Sequence, residues 1–147
     1  MTTYRKPLRL LPMKLPKKII DANVILRLFL DDDEEKFQRS KQFFRKLEFG
    51  EDEVLLTEIV FAEVIWVLQK VYSIPRKEIS PIFLKLLNYN GLKTVFSKEI
   101  FSESLKLYAI HTVDIQDIFL AVLARVKDSK IISFDKADVK KFNADFA

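Results

Sequence analysis

Cysteine is absent from the chain, so no disulfide can brace it and no thiolate can hold a metal. That fits a reducing compartment, and a cytoplasmic protein is the expectation. Histidine occurs once, at position 111, which excludes an acid–base ribonuclease built on two histidines of one chain. A Ser/His/Asp triad would have to use His111, yet no serine stands in a GxSxG elbow. His111 therefore reads as an exposed residue at a helix end. Gly50 and Gly91 are the only glycines, so there is no glycine-rich loop to cradle phosphates, which disfavours dinucleotide and P-loop functions. Charge-free runs stop at seven residues, well short of the roughly 20 that span a membrane. Residues 1–18, finally, contain no acid.

What is present points to a folded domain. Apolar residues make up 49% of the 147, thirteen of them phenylalanine, which suits a globular rather than a disordered chain. A chain of this length buries roughly 70% of its unfolded surface. The net charge of +4 is unevenly spread. Arg5, Lys6, Arg9, Lys14, Lys17 and Lys18 crowd the N-terminus, while the other 129 residues carry 19 basic and 21 acidic groups. The basicity belongs to the tail, where it can add sequence-independent affinity for phosphates. Residues 1–15 are thus read as a basic extension and 16–147 as one domain. Met13 could itself start a protein, so residues 1–12 are expected to be dispensable.

Short apolar runs alternate with longer helical patterns. Strand candidates are KKII (17–20), EVLLT (53–57), LKTVF (92–96) and KIISF (130–134). Helical spacing covers 22–30, 35–49, 58–72, 76–90, 97–110 and 115–128, with Thr57 as an N-cap and Gly50, Pro75 and Gly91 as stops. Pro81 weakens the start of the fourth helix. Strands alternating with helices imply an α/β fold, a three-layer α/β/α sandwich around a mainly parallel sheet of four or five strands. Phe43, Phe44, Phe61 and Trp66 fall at core spacing and read as packing rather than base-stacking residues.

Chemistry is carried by acids. Asp21 and Asp135 follow predicted strands, the edge where ligands sit in open α/β sheets. Asp114 and Asp117 open a helix, and each of these aspartates also suits an N-cap. Glu63 is the one charged residue between Ile59 and Leu68, where burial would be costly without a cation. Acids converging at one edge repel each other unless a positive charge intervenes, and an all-oxygen site suits Mg²⁺ or Mn²⁺.

The segments IIDANVIL, TEIVFAEVIWVL, DIQDIFLAVLA and IISFDK, in that order, resemble the PIN-domain nucleases, most closely the small VapC-like toxins. The resemblance spans about residues 17–140. It implies a metal-dependent endoribonuclease that leaves 5′-phosphate and 3′-hydroxyl ends. On the family pattern Asp21, Glu63, Asp117 and Asp135 are the catalytic, metal-holding acids, Asp114 is a fifth, and Asn23 and Ser133 support them. It further implies an RNA substrate, a small antitoxin partner and a homodimer. Rim contacts to RNA would fall to Arg27, Lys70, Arg125, Lys136 or the tail. Two departures stand out: Ile118 and Phe119 replace smaller residues, and the chain ends soon after KKFNADFA, so that a last edge strand would be short or missing. Competing readings are a non-catalytic PIN-like module that binds RNA or protein, an RNA-maturation nuclease of the same fold, and a metal-dependent phosphatase with Asp21 as nucleophile. The last is disfavoured because Asn23 stands where a second aspartate is wanted.

Overall fold

The computed structural model describes residues 14–30 and 33–132. Its elements run α1 (Ala22–Leu26), α2 (Glu34–Glu48), β1 (Val54–Leu56), α3 (Glu58–Lys70), α4 (Arg76–Leu87), β2 (Leu92–Thr94), α5 (Lys98–Ile110) and α6 (Ile115–Val126). Strand β1 pairs in parallel with β2, Leu55 opposite Lys93. On its other side β1 meets the segment ending at Ile20. Ile19 forms a parallel bridge with Leu55, Leu55 N–H donates to the Lys18 carbonyl at 2.8 Å, and Ile20 N–H donates to the Leu55 carbonyl at 3.0 Å. β1 is therefore central, and all three of its residues are buried, as a strand covered on both faces requires.

The α/β class and the parallel direction agree with the sequence reading. Its larger sheet does not appear among the described residues, which hold two strands and one bridging residue. Of the run 130–134, residues 130–132 are not in a strand, and 133–134 lie outside the described residues. The final edge segment lies outside them too.

Local chemistry explains most boundaries. Helix α1 ends sooner than its pattern suggests because the chain tightens: Leu28 and Phe29 donate to the carbonyls three residues back, Ile25 and Leu26. Asp33 caps α2 through Lys36 N–H, Thr57 caps α3 through Val60 N–H, and Ser97 caps α5 through Glu99 N–H. Helix α4 runs straight through Pro81, whose ring is exposed. Gly50 ends the α2 region with a φ of +72°, a left-handed conformation that suits glycine. Gly91 is needed for another reason. A Cβ there would strike the Asp52 carbonyl, just where Gly91 N–H donates to Leu47 and its carbonyl accepts from Val54 N–H.

The core is aromatic at its centre. Phe61 of α3 meets Phe83 of α4 and Phe101 of α5, each at 5.0 Å between ring centroids and near perpendicular, and Phe101 meets Phe119 of α6 at 5.1 Å. Such pairs add about 0.5–1.5 kcal/mol each beyond their burial. The cluster ties α3 to α6, the two helices that carry Glu63 and Asp117. Ser80, buried in α4, donates to the Leu105 carbonyl of α5 at 2.8 Å, so this polar group is satisfied inside the core. No helix among the described residues is long and apolar enough to cross a membrane.

Candidate functional site

Asp21 stands at the end of the first bridged segment and is the N-cap of α1, its Oδ1 accepting from Ala22 N–H at 2.8 Å. It is exposed, so the cap occupies one oxygen and leaves the carboxylate open to solvent. Helix α1 buries Ala22, Ile25 and Leu26 and packs on α3. Asp117 sits in the first turn of α6, where an acid is favoured by the helix dipole, and is half-buried. Asp114 is the N-cap of α6 by position, yet its side chain makes no capping hydrogen bond.

Glu63 is exposed. The cost of burying it therefore does not arise, because the surrounding helix face is itself uncovered: Ile59 is 74% and Trp66 50% exposed. Trp66 is thus no core residue, contrary to its spacing. Glu63 faces a groove of about 640 Å³ between α3 and α6, lined also by Glu58, Trp66, Gln116, Phe119 and Leu120. Asp21 and Asp117 do not line it. Asn23 is exposed and lines a second groove, between α1 and α2, with Arg27. Ser133, Asp135 and Lys136 lie outside the described residues.

The elements α1, α3 and α6, which carry Asp21, Glu63 and Asp117, are thus linked through α3. As donors these carboxylates suit a hard divalent ion in kind. Among the described residues, however, no group of three or more Asp, Glu, His or Cys side chains is disposed to hold a metal ion. Shared packing brings the acid-bearing helices together without closing a ligand set.

One residue that the pattern did not single out organises this region. Arg76, the first residue of α4, sends its guanidinium across to the turn between α5 and α6. There it donates to the carbonyls of His111 at 3.0 Å, Val113 at 2.6 Å and Thr112 at 3.2 Å, with a longer contact to Tyr108 at 3.5 Å. The guanidinium carbon lies 4.2 Å from the centre of the Tyr108 ring. Tyr108 in turn donates its hydroxyl to Gln69 Oε1 on α3 at 2.7 Å. Arg76 therefore pins the turn that delivers Asp114 and Asp117, and through Tyr108 it is joined to the helix that carries Glu63. The signal was in the sequence: a cation in the first turn of a helix opposes the dipole and needs a partner elsewhere. His111, half-buried within this turn, is less exposed than its sequence position implies.

The departures at Ile118 and Phe119 resolve as packing. Ile118 is fully buried and Phe119 nearly so; Phe119 belongs to the aromatic cluster and also walls the groove that Glu63 faces. Among the basic residues proposed for the rim, Lys70 and Arg125 are exposed and Arg27 is half-buried.

The model of the PIN domain family matches residues 18–143, a span that includes all five acids. Among curated proteins the chain is similar to a VapC ribonuclease of Aquifex aeolicus (strain VF5). The two are 32% identical over 114 residues, covering 78% of this chain and 80% of that relative.

Proposed function

The chain belongs to the PIN domain family, and from that premise we propose that it is a divalent-metal-dependent endoribonuclease, the VapC-type toxin of a toxin–antitoxin pair. One observation carries the reading: a curated ribonuclease is 32% identical across most of both chains. Asp21, Glu63, Asp117 and Asp135 would hold Mg²⁺ or Mn²⁺, with Asp114 as a further acid. When bound, such an ion lowers the pKa of a water to give a nucleophile and offsets the charge that builds on the phosphate. The chain's own part would be to carry Asp21, Glu63 and Asp117 on helices α1, α3 and α6, which are joined through α3. One of these carboxylates would orient the attacking water. The same acids repel an RNA backbone in the metal-free protein, so basic side chains must supply the binding. The reading carries with it a three-layer sandwich of four or five strands, a single domain over 16–147 behind a basic extension over 1–15, and a homodimer. A small antitoxin would neutralise the enzyme by covering the groove beside Glu63, whose exposed Ile59, Trp66 and Leu120 offer apolar contact.

A second reading, a non-catalytic module of the same fold that binds RNA or protein, is favoured by the absence of a three-ligand group among the described residues. Cleavage separates the two. The wild-type protein with Mg²⁺ or Mn²⁺ is expected to cut single-stranded RNA, and Asp21→Asn and Asp117→Asn each to lose at least about two decades of rate, the equivalent of a few kcal/mol of transition-state stabilisation. Undiminished cutting in both variants, or in excess chelator, would remove the nuclease reading.

A further inference from the structure

The basic N-terminus has no role in the chemistry above, yet the structure gives its last residues a location. Lys14 and Lys17 line an open groove of about 930 Å³ together with Lys93 of β2 and Lys98 of α5. Among the described residues, one acid, Glu53, stands against these four lysines. The neighbouring Lys18 is spoken for by Asp52, its Nζ at 3.0 and 2.9 Å from the two carboxylate oxygens, and so adds little to the groove's charge. Of the candidate acids within the described residues, Asp21, Glu63, Asp114 and Asp117, none lines this groove.

Two features mark the cluster as more than scattered surface charge. Lys98 is half-buried and donates to the Tyr89 carbonyl at 3.0 Å, so its ammonium is fixed rather than free to swing into solvent. Burial, and then the charge of Lys93, push its pKa below the usual lysine value. The Lys98 charge is therefore held in a place where burial and the neighbouring Lys93 both oppose it. A lone lysine on β2, an outer strand among the described residues, would serve to discourage strand addition. Four lysines from three separate parts of the chain exceed that need.

We propose that the groove formed by Lys14, Lys17, Lys93 and Lys98 binds the phosphate backbone of single-stranded RNA, apart from Asp21, Glu63, Asp114 and Asp117. The proposal deepens the ribonuclease reading and rests on it for the identity of the polyanion. Its function is to hold substrate against the repulsion of the carboxylates. Contacts of this kind are made to phosphates, so they carry affinity without base preference.

The test measures binding rather than cutting. The full chain in excess chelator is titrated against a labelled single-stranded RNA oligonucleotide across a range of salt concentrations. The wild type is compared with Lys14→Gln/Lys17→Gln and with Lys93→Gln/Lys98→Gln. Each lost contact should make the log–log salt slope shallower by roughly 0.7, so each double variant loses roughly 1.4 of slope. Equivalently, the affinity lost between about 50 and 200 mM salt shrinks roughly sevenfold. The first pair is exposed and keeps the test valid if replacing Lys98 harms folding. Wild-type slopes in folded forms of both variants would overturn the proposal. So would equal competition by poly-glutamate, which would assign the groove to an acidic protein segment. The result is independent of catalysis: a chain that binds with the expected slopes but never cuts RNA fails the nuclease reading alone, and one that cuts RNA with unchanged slopes fails the groove alone.

Discussion

Arg76 and Tyr108 show how much one pair of side chains can hold. Three carbonyls at the α5–α6 turn lose their donor if Arg76 is shortened, and hydrogen bonds to a charged group contribute about 1.5–3 kcal/mol. Arg76→Met is expected to lower stability by about 2–3 kcal/mol in urea denaturation. Arg76→Lys should recover only part of this, because a point donor cannot span carbonyls from three residues as a planar fork does. Tyr108 adds a pH dependence. Burial pushes its phenol above the ordinary value of 10.0, Arg76 draws it partly back, and Asp114 adds to the rise. A folded pKa above the unfolded one means stability is fully present below about pH 10 and is lost as pH rises through the folded value. Tyr108→Phe should therefore flatten the alkaline limb of the stability curve. It should also cost about 1 kcal/mol at neutral pH through the lost bond to Gln69. Denaturation midpoints for wild type and variant at neutral and alkaline pH check both.

At the scale of elements, the small sheet depends on the approach of α2 to the start of β2. Gly91 lets the backbone of the Leu47 and Asp52 segments come close enough for its own N–H and carbonyl to bond Leu47 and Val54. Gly91→Ala puts a methyl into the Asp52 carbonyl, and because that atom is backbone the strand must shift as a whole. The expected result is a loss of about 2 kcal/mol or more, within the range of overpacked sites. The same shift should speed hydrogen exchange at Val54 N–H, which bonds Gly91. Unchanged exchange there would mean the loop absorbs the methyl. Of the helices, α3 is the hinge of the arrangement: its inner face feeds Phe61 into the core while its outer face shows Glu63 and Trp66 to solvent.

For the whole molecule, charge is sorted by place. Among the described residues, Asp21 sits at the start of α1 and Asp114 and Asp117 at the start of α6, Glu63 faces the apolar groove between α3 and α6, and the lysines gather where the N-terminal segment passes β2 and α5. An enzyme that must gather a polyanion yet keep its acids for chemistry needs these regions apart. The aromatic cluster of Phe61, Phe101 and Phe119 joins α3, α5 and α6, the helices that carry Glu63, Lys98 and Asp117.

The sequence by itself determined the class of the fold and the positions of most elements, because periodicity, caps and stops act over a few residues: Thr57 starts α3, Gly50 closes α2, and apolar triplets make β1. Through the order of its acid-bearing segments it also identified the family. It could not determine that Trp66 and Glu63 share an uncovered face, since helical spacing shows which residues lie together and not whether anything covers them. Nor could it bring Lys14 and Lys17 beside Lys93 and Lys98, or aim Arg76 at the carbonyls of a turn more than thirty residues away. Those pairings exist only once the chain has packed, because charge and hydrogen bonding act through space at ranges of a few ångströms and take no account of distance along the sequence.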